Sequence, residues 1–414
     1  MKREHVVLLD RSGYNLFRHP DGRPFLDPDR YRVTLVTLPG KVDQVRPGEV
    51  ETVHAINVLD EAEVLGLLPV VRRGRPVDRV VAVSERLLVM AAQFRDTLGV
   101  PGFTTAQMLT LRDKVAMKRH VATAGVRVPK FCEIDRAMDA ADLLARHGRI
   151  ILKPRAGMGS VGVHKVSSPA ELRALDAGGF SFDGAYEAEE FIDGDMYHID
   201  SLVADGRPLV GIPSLYLDSN ESFPVGGQNR TVVIDPGPHR HMLEAFNRQV
   251  LATLPWFSGV THLEVFVGRD AQPVFCEVAG RPGGGGIVPA FQHRFGIDLH
   301  LMTALPQLGR SLPELHERQP AQRRHTGTAV FYPPALGEVV SFESMPERDW
   351  IVKFTALKKV GDVLKQALSV GQGVAEVTVS GPDFAAVCRR IEEVQSLLSL
   401  TVLAKAPAQS GGAR

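Results

Sequence analysis

The chain has 414 residues with 48 basic and 48 acidic side chains, so its formal net charge is zero. Its contents of 44% hydrophobic and 23% charged residues are ordinary for a globular protein, and about 150 residues per domain suggests two or three domains. The balanced charge argues against a nucleic-acid partner. A membrane-spanning helix needs about 20 apolar residues, and no apolar run in the sequence is that long. Val6–Leu9 is too short for a signal-peptide core, and three cysteines without CxxC spacing argue against disulfides and zinc. We therefore expect a cytoplasmic protein with neither nucleic acid nor membrane as a partner.

The first 110 residues alternate short apolar runs with helical patches, which predicts a small parallel α/β domain. The predicted elements are strands at His5–Leu9, Arg32–Thr37, Val50–Ala55 and Arg79–Ser84, and a helix at Glu85–Leu98. A second unit, 111–310, is expected to begin with a helix from Asp113 to Ala124 and to continue as strands and glycine loops. A third unit, 311–405, contains a predicted strand at Val374–Val379 and an amphipathic helix, and residues 406–414 are predicted to be a disordered tail.

A glycine loop follows a predicted strand that carries Lys153. Gly157, Gly159 and Gly162 spell GxGxxG, but a dinucleotide site requires a helix at the third glycine, and here an alternating strand follows. The pattern is therefore strand–loop–strand. Two interpretations stay open: a hairpin whose backbone N–H groups fold over polyphosphate, with Lys153 as a point charge, or a surface hairpin without a ligand.

The stretch from Thr261 to Ala279 predicts an antiparallel ribbon. Pairing Gly268 with Pro273 puts Glu264 directly opposite Glu277, and alternation then divides the side chains between two faces. The predicted apolar face carries Leu263, Val265, Val267, Val274, Cys276 and Val278, and the other face carries His262, Glu264, Phe266, Phe275, Glu277 and Ala279.

Two carboxylates opposite each other repel, and something must relieve that repulsion. A magnesium ion bridging the carboxylates to phosphates is one solution, a pair sharing a proton is another, and a solvated face with a slipped register is the third. Four residues beyond Glu277 lies Arg281, whose permanent charge suits a developing negative charge on a phosphoryl or acyl oxygen. The following glycines, including Gly283 and Gly284, allow the backbone to approach a ligand.

Taken in order, these motifs resemble the ATP-grasp family of carboxylate–amine ligases, and most of all its amino-acid and peptide ligases. The resemblance rests on Asp113-Lys114, on Lys153 with its glycine hairpin, on the run Glu189–Gly194, and on the ordered set of Glu264, Glu277 and Arg281. It covers about 290 residues. The resemblance implies an α/β (α+β) ATP-grasp fold with a Rossmann-like N-terminal domain, a two-subdomain core that grips the nucleotide, and a C-terminal α+β extension.

The resemblance also implies roles for single positions. It assigns ATP binding to Lys114, Lys153, Gly157, Met158, Gly159, Ser160, Val161, Gly162, Glu189, Glu190, Phe191, Ile192 and His198. It assigns Mg²⁺ (or Mn²⁺) to Glu264 and Glu277, and stabilisation of an acyl phosphate to Arg281. Arg230, Gly283 and Gly284 are candidate substrate contacts. Many family members have Glu-x-Asn at the second glutamate, whereas this chain has Ala279 in place of the asparagine, so one metal ligand is missing.

The implied reaction joins a carboxylate to an amine through an acyl phosphate and releases ADP and phosphate, with an amino acid as one substrate. Alternatives are a ligase that charges an amino acid onto a carrier protein, a biotin-carboxylase-like or formate-using enzyme, and a nucleotide-binding regulator that has lost turnover. The family comparison also suggests a homodimer.

Overall fold

The computed structural model describes residues 2–178, 185–218 and 223–404 of the chain. One parallel sheet, several antiparallel sheets and the helices that cover them form a mixed α/β architecture, which confirms the predicted fold class. The predicted disordered tail, 406–414, lies outside the described residues. In the described part of the chain, no helix is long and apolar enough to cross a bilayer.

The N-terminal region is built on a parallel sheet with the strand order β3-β2-β1-β4, as the alternating pattern predicts. Its strands are β1 (Glu4–Leu9), β2 (Tyr31–Thr37), β3 (Thr52–Ala55) and β4 (Arg79–Ala82). The helices of this part of the chain are α1 (Glu61–Gly66), α2 (Leu68–Arg73), α3 (Glu85–Leu98), α4 (Thr105–Leu109) and α5 (Lys114–Ala122). Asp113 caps α5 by accepting hydrogen bonds from the backbone N–H groups of Val115 and Ala116 at 2.9 and 3.0 Å, because an aspartate can satisfy the free donors of a first helical turn.

A small antiparallel sheet follows, with the order β5-β8-β6-β7. Its elements are β5 (Phe131–Ile134), α6 (Ala141–His147), β6 (Ile150–Pro154), β7 (His164–Val166), α7 (Pro169–Ala177) and β8 (Tyr186–Glu190). The antiparallel pairing of β6 with β7 confirms that the glycine loop joins two strands rather than a strand and a helix.

A large antiparallel sheet forms the rest of the framework, in the order β13-β12-β9-β10-β11-β14-β18-β16, and a small sheet with the order β17-β15-β19 lies beside it. The strands are β9 (Gly194–Ala204), β10 (Arg207–Tyr216), β11 (Gln228–Val233), β12 (Gly259–Gly268), β13 (Pro273–Ala279), β14 (His325–Phe331), β15 (Gly337–Phe342), β16 (Ile351–Ala356), β17 (Val363–Leu364), β18 (Ala375–Gly381) and β19 (Leu400–Ala404). The helices are α8 (Pro238–Leu251), α9 (Ile287–Phe295), α10 (Leu299–Gln307) and α11 (Phe384–Leu397). Because β11 pairs with β14, the large sheet continues across residue 310.

Short 3-10 segments occur at Tyr14–Phe17, Pro39–Gln44, Ala137–Ala140, Ala321–Arg323 and Val370–Gln372.

The two faces of the large sheet differ in character. One face buries apolar side chains such as Ile199 and Leu263 in a core shared with α8. The other face carries Glu264 and His262, and further along it packs against α9 and α10 through residues such as Ile212. This second face, which we call the polar face, positions the candidate active site.

Candidate active site

The predicted carboxylate pair lies on the ribbon of β12 and β13. Glu264 is the ladder partner of Glu277, as the sequence predicts. Their side chains retain 15% and 19% exposure, so neither is fully buried. The hydroxyl of Tyr216 donates a hydrogen bond of 3.0 Å to Oε1 of Glu264.

The ribbon departs from the predicted register immediately beyond the pair. Val265 pairs with Phe275 and Phe266 with Val274, so Cys276 is the extra residue of a β-bulge. The predicted pairing of Gly268 with Pro273 is also wrong, because Val267 is the ladder partner of Pro273. The prediction that Phe275 shares the carboxylate face is therefore wrong, because this ring is buried in the apolar core. Val274, predicted on the apolar face, exchanges faces with it.

The sequence predicts that Cys276 faces the apolar core, whereas at the bulge its thiol is within the electrostatic influence of charged side chains. Burial raises the pKa of this thiol, and Glu264, Glu277 and Glu189 raise it further, whereas Lys153 acts in the opposite direction. A thiol with a raised pKa is a poor nucleophile, so Cys276 has the properties of an inert group although charged side chains act on it.

Lys114 connects the carboxylate pair to the glycine loop. Its Nζ lies 2.9 Å from Oε2 of Glu277 and donates a hydrogen bond of 3.0 Å to the backbone carbonyl of Gly157. Burial opposes ionisation of Glu277, but Lys114, Lys153 and Arg281 outweigh it and lower its pKa to about 2. Glu277 is therefore an anion at neutral pH and is able to bind a cation.

Lys153 belongs to a buried network of lysines and glutamates. Its Nζ contacts Glu189 at 2.5 Å, and Lys118 contacts Glu187 at 2.7 Å and Glu189 at 2.5 Å. Burial opposes protonation of Lys153, but Glu189 outweighs it and raises the lysine pKa well above its usual value. Lys153 therefore supplies a fixed positive charge at the end of β6.

The glycine loop adopts a conformation that most side chains disfavour. Gly159, Ser160 and Gly162 have φ angles of 62°, 60° and 76°, in the left-handed region. A Cβ at Gly162 would lie 2.7 Å from the hydroxyl oxygen of Tyr186, so glycine is required there. Met158 and the exposed Val161 complete this tight turn between β6 and β7.

The segment predicted to read adenine falls where the small sheet joins the large one. Glu189 and Glu190 end β8, and Phe191 and Ile192 lie in the short connection to β9. The Glu189 carboxylate contacts Lys153, whereas the Phe191 ring contacts two cationic groups, with Cζ of Arg149 4.4 Å and Nζ of Lys165 4.1 Å from its centroid. The segment thus connects the two sheets, as a hinge would.

His198 lies on the polar face as the ladder partner of Glu264. It is buried, and its Nδ1 lies 2.7 Å from Oδ2 of Asp200. Oδ1 of Asp200 lies 3.0 Å from Nδ1 of His262, whose Nε2 lies 3.6 Å from Oε1 of Glu264. A chain of buried polar groups therefore leads from His198 to the carboxylate pair.

Arg281 binds the N-terminal region. Its Nε donates a hydrogen bond of 2.6 Å to Oε2 of Glu85, at the start of α3. Arg112 contacts the other oxygen of Glu85 at 2.7 Å and also donates to the carbonyl of Gly157 at 3.3 Å. Burial opposes protonation of Arg281, but Glu85, Glu277 and Glu264 outweigh it and raise its pKa further.

The candidate substrate contacts are divided between the two faces. The backbone N–H of Gly283 donates a hydrogen bond of 3.2 Å to Asp200, which places this glycine over the polar face, and Gly284 is next to it with open space around its Cα. Arg230 is not brought to this site. Its neighbour on β11, Thr231, pairs with Tyr216 on the polar face, so Arg230 projects from the opposite face, where it pairs with Asp218 at 2.8 Å.

Sequence reasoning assigned no role to several residues that contact the site. His262 was placed on the correct face, and the spacing of His198 and Asp200, two apart on a strand, was a usable signal for a shared face. Glu85 offered no such signal, since 196 residues separate it from Arg281.

The two glutamates fit a magnesium ion by their chemistry. Both are carboxylate oxygen donors, they face each other on one ribbon, and each keeps part of its surface accessible. Nζ of Lys114 and Nζ of Lys153 are each paired with a carboxylate of this site, Glu277 and Glu189 respectively.

Comparison with known proteins finds similarity to ATP-grasp proteins and to amino-acid ligases. Residues 31–102 match the ATP-grasp N-terminal domain. The L-arginine-specific L-amino acid ligase of Bacillus subtilis is 26% identical over 233 residues, and the match covers 54% of this chain and 56% of that protein. The alanine–anticapsin ligase of Bacillus subtilis is 23% identical over 407 residues, with coverage of 87% of this chain and 84% of that protein.

The structural comparison extends over nearly the whole chain. The crystal structure of an L-amino acid ligase from Bacillus licheniformis superimposes with a TM-score of 0.71 at 18% identity. The superposition covers 97% of this chain and all of that one. At this level of identity the similarity establishes the fold.

Proposed function

We propose that this chain, which belongs to the ATP-grasp superfamily of ligases, forms an amide bond between an amino acid and an amine at the expense of ATP. The observation that carries the proposal is the position of Lys114. It binds Glu277 of the carboxylate pair and the carbonyl of Gly157 in the glycine loop, so the metal-binding and phosphate-binding candidates adjoin one another.

Each half of the proposed site has a distinct task. The glycine loop 157–162 and the two lysines are proposed to hold the triphosphate, and Phe191 and Ile192 are proposed to hold adenine beside the hinge. Glu264 and Glu277 would hold Mg²⁺ or Mn²⁺, which supplies charge neutralisation at the phosphate oxygens. With Ala279 replacing an amide ligand, the cation depends on these two carboxylates.

The proposed reaction has two steps. A substrate carboxylate oxygen attacks the γ-phosphorus of ATP, ADP leaves, and an acyl phosphate forms. The amine nitrogen then attacks the acyl carbon, the C–O bond to phosphate breaks, and the nitrogen loses a proton. Arg281, held by Glu85, is proposed to stabilise negative charge on the acyl phosphate, and the protein needs no side-chain nucleophile.

The relatives' names guide the choice of substrates. One is a ligase specific for L-arginine and another joins alanine to anticapsin, so L-amino acids are the first acids and amines to examine. A carrier protein as the acceptor and a homodimer stay predictions.

The proposal is tested by incubating the full chain with ATP, magnesium and pooled L-amino acids. ADP release and new product masses are followed together. Amino-acid-dependent ADP release with a dipeptide mass is the expected result. ADP release that depends on bicarbonate or formate alone would replace it by the carboxylase-type alternative, and nucleotide binding without turnover across the panel would indicate a regulator.

A further inference from the structure

Asp200 lies at the meeting point of three segments of the candidate site. Its carboxylate is within hydrogen-bond distance of Nδ1 of His198 at 2.7 Å, Nδ1 of His262 at 3.0 Å and the backbone N–H of Gly283 at 3.2 Å. His198 belongs to β9, His262 to β12, and Gly283 to the loop 281–286 that carries Arg281. One side chain, itself only 1% exposed, thus joins two strands to the loop.

The loop rests directly on the imidazole of His262. A Cβ at Gly283 would lie 2.6 Å from Nδ1 of His262 and 2.4 Å from Cδ1 of Ile287, so only glycine permits this approach. Ala279 is the ladder partner of His262, and its single methyl group leaves the neighbouring space to the ring. The residue that departs from the family pattern therefore lies beside the ring that supports the loop.

The other end of the same loop is also fixed. Oγ1 of Thr378 donates a hydrogen bond of 2.9 Å to the carbonyl of Gly286, immediately before α9 begins. The end nearer Arg281 is held by the hydrogen bond from the Gly283 N–H to Asp200, and loss of that bond would free the loop from the polar face.

Charge strengthens the contact between Asp200 and His262. Burial opposes ionisation of Asp200, but His262 and His198 outweigh it and hold its pKa well below the usual value. Hydrogen bonds to an ionised carboxylate are shorter and stronger than those between neutral groups, which suits a contact that holds a loop in place.

We propose that Asp200 is a positioning residue that holds the loop 281–286 over the carboxylate pair, so that the acyl phosphate reacts with the amine and not with water. The inference rests on the proposed function. Attack of the amine nitrogen on the acyl carbon yields the amide and phosphate, whereas attack of water yields the original carboxylic acid and phosphate. Both routes consume one ATP, so the amount of amide formed per ADP measures how well the loop excludes water.

The test compares Asp200→Asn with Ser201→Ala in the full-length chain. Ser201 is the next residue of β9, is fully buried and accepts a hydrogen bond of 2.9 Å from Asn247, so its loss is a matched structural control. We expect the wild type and Ser201→Ala to form about one amide per ADP. We expect Asp200→Asn to form about half that amount or less, with kcat for the amide lowered by about 10-fold or more and KM for ATP changed by less than about 3-fold.

The outcomes separate the proposed role of Asp200 from the proposed function. An amide-to-ADP ratio for Asp200→Asn equal to that of Ser201→Ala would overturn the inference, whatever the change in rate. If Asp200→Asn does not fold, Gly283→Ala gives the decision, because its Cβ, which would lie 2.6 Å from Nδ1 of His262, displaces the loop while the contact of Asp200 with Nδ1 of His198 is left in place, and an unchanged amide-to-ADP ratio would then overturn the inference. A wild type that forms no amide refutes the proposed function itself, and that result is separate from an unchanged ratio in the variants.

Discussion

Replacing Glu277 by glutamine isolates the charge of the carboxylate pair. Glutamine has the same shape, and its amide oxygen can still accept a hydrogen bond from Lys114, 2.9 Å away in the native protein. The change removes one of the two negative charges that would hold the cation, and it also removes the repulsion between Glu277 and Glu264 across the ribbon. Relief of this repulsion offsets part of the loss of the charged partner of Lys114, and we therefore expect the free energy of unfolding to fall by at most about 3 kcal/mol.

The effect on catalysis is separate from this loss of stability, because kcat is measured on the folded protein. Loss of one preorganised group that stabilises transition-state charge costs about 100-fold to 1,000-fold in kcat, or about 2.7 to 4 kcal/mol. Amino-acid-dependent ADP release at saturating magnesium measures this loss, and urea denaturation measures stability. Glu338→Gln, at an exposed position of β15, is the charge-matched control. A kcat for Glu277→Gln within about 10-fold of the wild type would refute the assignment of Glu277 to the cation.

Other side chains give further expectations. Lys118→Met should lower the free energy of unfolding by about 3–5 kcal/mol, because it strands buried carboxylates, and a loss below about 1 kcal/mol in urea would contradict this. Burial opposes ionisation of Glu189, but its lysine partners lower its pKa from 4.5 to about 2, so its contribution to stability is complete above about pH 4.5 and is lost as the pH falls toward 2. Acid titration should therefore show the stability difference between wild type and Glu189→Gln shrinking through that window, and a constant difference would argue against it. Arg230→Met should leave kcat within about 2-fold, because this arginine pairs with Asp218 on the other face, and a kcat loss above about 10-fold would restore it as a substrate contact.

Local patterns in the sequence predicted the elements that depend on local physics. The helix Glu85–Leu98 and the Asp113 cap follow from capping and periodicity, and both are found. The predicted opposition of Glu264 and Glu277 is also found, but the predicted pairing of Gly268 with Pro273 is wrong: Val267 pairs with Pro273, and the bulge at Cys276 restores the register at the two glutamates. Where strand alternation alone determines the face on which a side chain lies, that face can be predicted from the sequence.

The departures have non-local causes. The bulge at Cys276 changes the face of Phe275, and nothing in the alternation of β13 announces an inserted residue. The contact of Glu85 with Arg281 joins segments that meet only after the whole chain has folded. The guanidinium of Arg230 has the chemistry of a carboxylate contact, but its position on β11 turns it away from the carboxylate pair.

The pairing of β11 with β14 has a consequence for chimaeras between this protein and its relatives. Strands before and after residue 310 share ladder hydrogen bonds within one sheet, so a crossover at that point would pair backbones that did not evolve together. The connection between β8 and β9, by contrast, passes between two separate sheets within a few residues. Recombination at residues 191–193 would exchange the sheet β5-β8-β6-β7 intact, together with the N-terminal region, and leave every described strand of the large sheet with its native neighbour.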